Sequence, residues 1–147
     1  MAYQSFEELV VWKRACLLAV CVYEQLKDNR DFALRDQMQR ASVSIASNIA
    51  EGSERGGKDF ARFLRIAQGS SAELRTQVYI AAKIGLIPSS KCTEIVDELK
   101  QLSKMLTALR QSVQCSVSSV QKTNPKPSAV DRQPKSTPEN RTLNTEN

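Results

Sequence analysis

Arg55, Lys58, Arg62 and Arg65 follow one another at steps of three and four residues, so on a helix they share one side. A guanidinium presents a fixed fork of donors that matches phosphate oxygens, and a row of such groups can follow a nucleic-acid backbone. Arg30, Arg35, Arg40 and Arg75 lie in the same region, together with six acids (Asp31, Asp36, Glu51, Glu54, Asp59 and Glu73), leaving a local excess of two positive charges. The same row also fits a solvated helical face in which i,i+4 pairs such as Glu54–Lys58 neutralise one another. The chain as a whole carries 21 Lys+Arg against 16 Asp+Glu, a net charge of +5. That excess permits a polyanionic partner, and it also suffices merely to keep a small domain soluble.

Other chemistry is closed off by what is missing. The chain contains no histidine, which removes Ser-His and Cys-His nucleophile pairs, the HExxH metal site and imidazole as a general base. The carboxylate groups Glu7/Glu8, Glu51/Glu54 and Glu94/Asp97/Glu98 fall at helix starts or on exposed faces. A di-iron bundle would need Glu-x-x-His motifs. Gly56-Gly57-Lys58 lacks the frame of a phosphate-binding loop. The four cysteines, Cys16, Cys21, Cys92 and Cys115, form no CxxC pair and read as small apolar fillers in a reducing compartment. No enzyme, metal or cofactor is expected.

Four helical patterns position these residues. Ser5 and Glu8 have the spacing of a capping box, and Leu9, Trp12, Cys16, Ala19, Tyr23 and Leu26 form the stripe of a first helix that ends near Asp28-Asn29. A second helix from Asp31 to Gly52 carries Leu34, Met38, Ala41, Ile45, Asn48 and Ile49, followed by a polar Ser53–Gly57 connection. A third starts near Lys58-Asp59 and runs through Phe60, Phe63, Leu64, Ala67, Ser71, Leu74, Val78 and Ala81 to Gly85, with Pro88 barring continuation. Ser89 or Ser90 caps a fourth, whose stripe is Cys92, Ile95, Leu99, Leu102, Leu106, Leu109 and Val113. The expected fold is all-α, an antiparallel up-down four-helix bundle over residues 1–115. Residues 116–147 hold four of the five prolines and few apolar residues, the composition of a disordered tail.

Small residues crowd the second helix (Ala41, Ser42, Ser44, Ala46, Ser47, Ala50), and Ala67 to Ala72, with Gly69 at its centre, makes a matching narrow waist on the third. Asn48 is a polar group on a core-facing stripe, expected to fix register or oligomeric state, or else to read a ligand. The apolar run Ala15–Tyr23 is too short to cross a bilayer, which takes about 20 residues. Glu7 and Glu8 spoil a basic leader before Cys21. A cytoplasmic protein with no membrane association is expected.

Three segments resemble one family. Phe6 to Ala15, the run Gln37 to Gly52 (with Arg40-Ala41, Ser44-Ile45 and Asn48-Ile49-Ala50-Glu51-Gly52) and the third-helix pattern Phe60, Phe63-Leu64, Ile66-Ala67, Gly69-Ser70, Glu73-Leu74 are similar to the 23S ribosomal RNA intervening-sequence proteins, over about residues 5–112. The resemblance implies a bundle that assembles into a homopentameric ring with a central channel. It also implies kinship with accessory variability proteins of diversity-generating retroelements, which bind a reverse transcriptase and nucleic acid. Within the shared motifs Asn48, Glu51, Gly52 and Gly69 are expected to serve packing or assembly. Arg40 is expected both there and as a fifth nucleic-acid cation beside Arg55, Lys58, Arg62 and Arg65. The leading functional expectation is a non-enzymatic oligomeric scaffold for RNA or a ribonucleoprotein. The alternatives are an adaptor that docks a protein such as a reverse transcriptase without touching nucleic acid, and a mobile-element relic.

Overall fold

A computed structural model describes residues 4–122. Among the described residues there are four α-helices and no strand: α1 (Val10–Leu26), α2 (Phe32–Arg55), α3 (Gly57–Lys83) and α4 (Ser89–Lys122), preceded by a single 3-10 turn, Phe6–Glu8. The core is one cluster fed by all four helices, including Leu18, Val22, Ile45, Leu64, Leu99 and Leu106. Each such side chain, removed fully from water, stabilises the fold by about 1.5–3 kcal/mol.

The α3 and α4 stripes lie where their periodicity predicts: Leu64, Ala67, Leu74 and Val78 are buried on α3, and Cys92, Ile95, Leu99, Leu102 and Leu106 on α4. The first helix differs. Ser5 does not cap it; Ser5 caps the 3-10 turn by accepting from the Glu7 N–H at 3.4 Å, and its hydroxyl also meets the Glu7 carboxylate. The helix proper begins at Val10 and buries Val11, Ala15, Leu18, Val22 and Leu26. Of the expected stripe Leu26 is buried, whereas Leu9, Trp12 and Cys16 pack against the margin of the core and Tyr23 is 47% exposed. Because α1 is apolar on most of its circumference, two stripes fit its sequence, and only packing chooses between them.

Gly52 does not end α2. The helix continues to Arg55, and the break comes at Gly56, whose φ of 68° and ψ of −175° suit glycine alone. Gly52 is instead a point of close approach: a Cβ added there would stand 2.6 Å from Cβ of Phe63 on α3. Farther along the same pair, the hydroxyls of Ser44 and Ser70 meet at 2.9 Å. Numbers that rise on α2 as they fall on α3 are those of antiparallel neighbours. Ser71 with Ser103 (3.2 Å) and Gln68 with Thr107 (2.7 Å) set the same relation between α3 and α4. Gly85 ends α3 as expected, with the Leu86 N–H returning to the Ala81 carbonyl at 2.8 Å and the Gly85 N–H to Ala82 at 3.2 Å. Between α1 and α4, Arg14 makes a two-pronged pair with Glu98, at 2.6 and 2.8 Å. That bond holds the Arg14 guanidinium above its ordinary pKa.

The fold also outruns its expected end. Composition stops it at residue 115, whereas α4 continues to Lys122. No proline intervenes before Pro125. The hydroxyls of Ser116, Ser118 and Ser119 bond back to carbonyls one turn earlier, at 3.0–3.1 Å, so the polar composition is absorbed within the helix. Residues 123–147 of the expected tail lie outside the described residues.

Candidate nucleic-acid interface

The pairings Ser71–Ser103 and Gln68–Thr107 fix the register of α3 on α4. Continued toward the start of α3, that register brings Arg65 level with Arg110, and Lys58 level with Val117 and Ser118. Between the two helices lies a cleft of about 480 Å3. Its α3 wall carries Lys58, Arg62 and Arg65, and its α4 wall carries Arg110, Gln114 and Ser118. Ala61 and Val117 provide its apolar surface. Steps of four and three residues spread the α3 cations over about 10 Å of helix axis, with Arg110 facing them.

The electrostatics of the four cations are not equal. Arg62 is partly committed, its Nε 3.5 Å from Asp59 Oδ1 and its guanidinium stacked 4.8 Å from the centre of the Phe63 ring. Lys58, Arg65 and Arg110 make no ion pair with the described residues. Arg110 is half-buried, and its Nε is shut away from solvent with no hydrogen-bond partner among the described residues. A guanidinium N–H withheld from both water and protein is poorly satisfied and lowers the stability of the site it occupies.

The structure sorts the expected site residues. Lys58, Arg62 and Arg65 come together as expected. Arg55 does not line the cleft, although it reaches Asp59 at 4.0 Å and shares the Phe63 ring with Arg62. It closes α2 on the far side of the Gly56 break, bonded to Glu51 Oε1 at 2.8 and 3.1 Å, and its guanidinium lies 5.2 Å from the Phe63 ring. The row that looked continuous in sequence is therefore interrupted by a change of helix. Arg40 is exposed on α2 and does not line the cleft; along the helix it stands about 22 Å from Arg55.

Of the packing residues, Glu51 serves as the partner of Arg55. Asn48 is half-buried, donating to the Ser44 carbonyl at 2.8 Å and the Ser44 hydroxyl at 3.0 Å, so it braces the hydroxyl that meets Ser70. Gly52 marks the close contact, whereas Gly69 is exposed, and a Cβ there would meet nothing within 4 Å. The narrow waist is formed by Ala67, Ser70 and Ser71, which are buried, with Ser70 meeting Ser44 of α2 at 2.9 Å, whereas Gly69 points away and takes no part in it.

Arg110 was missed by sequence reasoning. It is the one basic residue between Lys104 and Lys122, and nothing local distinguishes it. Only the α3–α4 register gives it company. The described residues contain no cluster of three or more potential metal ligands, and no helix long and apolar enough to cross a membrane.

With this geometry in view, the family assignment is direct. The family model of the 23S rRNA-intervening sequence proteins matches residues 7–108. The chain belongs to this family. A solved structure of a protein of unknown function from the S23 ribosomal protein family of Bacteroides thetaiotaomicron is similar in fold, with a TM-score of 0.65 at 23% identity, covering 69% of this chain and 98% of that one. No curated protein matches the chain at a significant level. The segment matching the intervening-sequence family takes in the whole α3 wall of the cleft and stops two residues short of Arg110.

Proposed function

We propose that this intervening-sequence family member is a non-enzymatic scaffold that binds the phosphate backbone of RNA in the α3–α4 cleft. The observation that carries this reading is the convergence of Lys58, Arg62 and Arg65 on one wall with Arg110 on the other, three of the four without an ion pair among the described residues. Salt bridges would have consumed these charges if their task were to stabilise the bundle. Unpaired cations held close together raise the local potential, and that is useful toward a polyanion.

The test is fluorescence anisotropy of a labelled ribosomal RNA hairpin with the full chain and with Lys58→Gln, Arg65→Gln and Arg110→Gln combined. Each phosphate left without its cation takes about 0.9 off the logarithmic salt slope, which at about 0.1 M salt amounts to roughly eightfold in affinity. The triple variant should therefore bind several hundredfold more weakly, with unchanged helical circular dichroism. Equal binding by the variant would refute this surface.

A second reading concerns assembly. Val10, Leu17 and Val20 form an outer stripe on α1, 60%, 70% and 55% exposed, beside an apolar cleft of about 320 Å3 that includes Cys21 and Ile95. Such a stripe supports packing of an up-down four-helix bundle against further copies, a homopentameric ring being the form that the family resemblance implies. The same face would serve an adaptor that docks a protein such as a reverse transcriptase. Sedimentation of the Leu17→Lys chain separates the readings. Dissociation to a monomer supports assembly through α1, and an unchanged mass excludes it.

A further inference from the structure

We infer that the α3–α4 cleft takes duplex RNA in preference to an unpaired strand. The inference rests on the polyanion reading above and sharpens it to one class of nucleic acid. Proteins that hold single strands without regard to sequence combine a cationic groove with aromatic side chains on which bases stack, each stacked base adding roughly tenfold or more to affinity. Among the described residues this cleft has the cations and none of the platforms. Its lining is Lys, Arg, Gln, Ser, Ala and Val.

The nearby aromatic rings are spent elsewhere. Phe63, adjacent to Arg62 in sequence, is only 8% exposed, and both Arg55 and Arg62 lie over its ring. Phe60 packs against the core near Gly52. Among the described residues the exposed rings are Tyr23, Phe32 and Tyr79. Tyr79 stands 14 residues beyond Arg65 on α3, about 21 Å along the axis. Phe32 begins α2 and is covered by the Arg35 guanidinium at 4.5 Å. Tyr23 is near the end of α1, a helix that contributes nothing to the cleft. Beyond residue 79 the sequence contains no aromatic residue at all, so the segment following α4 cannot supply a platform either.

What remains is recognition of charge and shape. A duplex laid over the cleft brings its phosphates to the cations of both helices, and its counterion release is greater, about 0.9 per contact against 0.7 for a single strand. Over the four cations of the cleft, that difference alone favours the duplex by about sixfold at about 0.1 M salt. On the α4 wall the Gln114 amide, and the Ser118 oxygen as an acceptor since its proton goes to the Gln114 carbonyl, are of the kind that hydrogen-bond a 2′-hydroxyl across an RNA minor groove.

The test is direct binding of the full chain to a short RNA duplex and to a single strand of equal length that cannot pair, both end-labelled, at about 0.1 M salt. The duplex should bind about sixfold or more tightly, and Arg65→Gln with Arg110→Gln should weaken duplex binding while leaving the helical circular dichroism unchanged. A single strand that binds equally or more tightly would overturn the inference and leave the polyanion reading intact. Failure of both to bind would overturn the polyanion reading itself. A DNA duplex of the same sequence, bound as tightly as the RNA, would remove the part assigned to the 2′-hydroxyl.

Discussion

The same substitution at two helical glycines should change stability in opposite directions. Gly52 and Gly69 both sit inside helices, where replacement by alanine relieves the glycine penalty and stabilises by about 0.5–1 kcal/mol. At Gly69 nothing opposes that gain, since an added Cβ meets no atom within 4 Å. At Gly52 the added methyl would lie 2.6 Å from Phe63 Cβ and 3.2 Å from Phe60 Cδ2, against the ~3.5–4.0 Å of an ordinary carbon contact. A Cβ cannot rotate out of the way, so α2 and α3 must separate by roughly 1 Å. Overpacking of this kind costs about 1–3 kcal/mol. The helix-propensity gain offsets part of it, leaving a net loss of about 1–2 kcal/mol. With a urea dependence of about 1.5 kcal/mol per M, the midpoint for Gly52→Ala should fall by about 1 M, and that for Gly69→Ala should rise by about 0.4 M. The assay is urea unfolding of the full chain followed by helical circular dichroism, with all variants at one protein concentration so that assembly does not confound the comparison. A raised midpoint for Gly52→Ala would refute the close approach of α2 to α3.

Two further outcomes follow from single residues. Gly56→Ala should destabilise by about 1–3 kcal/mol, because φ of 68° with ψ of −175° is a conformation that a Cβ resists; a variant as stable as the parent in thermal unfolding would contradict the α2–α3 turn. Burial pushes the Cys16 and Cys21 thiols up from their ordinary pKa, while Cys115 is exposed. Because the thiolate is the reactive form, a maleimide or disulfide reagent should modify Cys115 first, with Cys16 and Cys21 slower and buried Cys92 slowest, an order that peptide mass spectrometry reads directly.

The parts of this molecule that were legible in its sequence are those whose periodicity had one solution. On α3 and α4 the apolar residues concentrate on one continuous stripe, with Ile66, Tyr79 and Ile80 as exposed exceptions on α3, and Leu64, Leu74, Leu99 and Leu106 are buried as that spacing requires. On α1 the outer face is apolar too, so the choice between the Trp12 and Leu18 stripes depended on neighbours that a local pattern does not contain. Glycine was ambiguous for a related reason. A glycine inside a helix can be a stop, a close contact or neither, and Gly52, Gly56 and Gly69 are respectively a close contact, a break and an exposed position. The candidate site was half legible. Lys58, Arg62 and Arg65 share a helical side by spacing alone, but Arg55 belongs to another helix, and Arg110 joins them across 45 residues of chain only through the register of α3 on α4.

The salt dependence of RNA binding tests the central claim most directly. Affinity of the full chain for a structured ribosomal RNA fragment, measured between about 50 and 200 mM salt, should give a log–log slope near −3 to −4, one phosphate for each of the cleft cations. The Lys58→Gln, Arg65→Gln, Arg110→Gln variant should flatten that slope by about 2.7. A slope near zero for the parent chain, or a slope that the variant leaves unchanged, would contradict the α3–α4 cleft as a phosphate-binding surface.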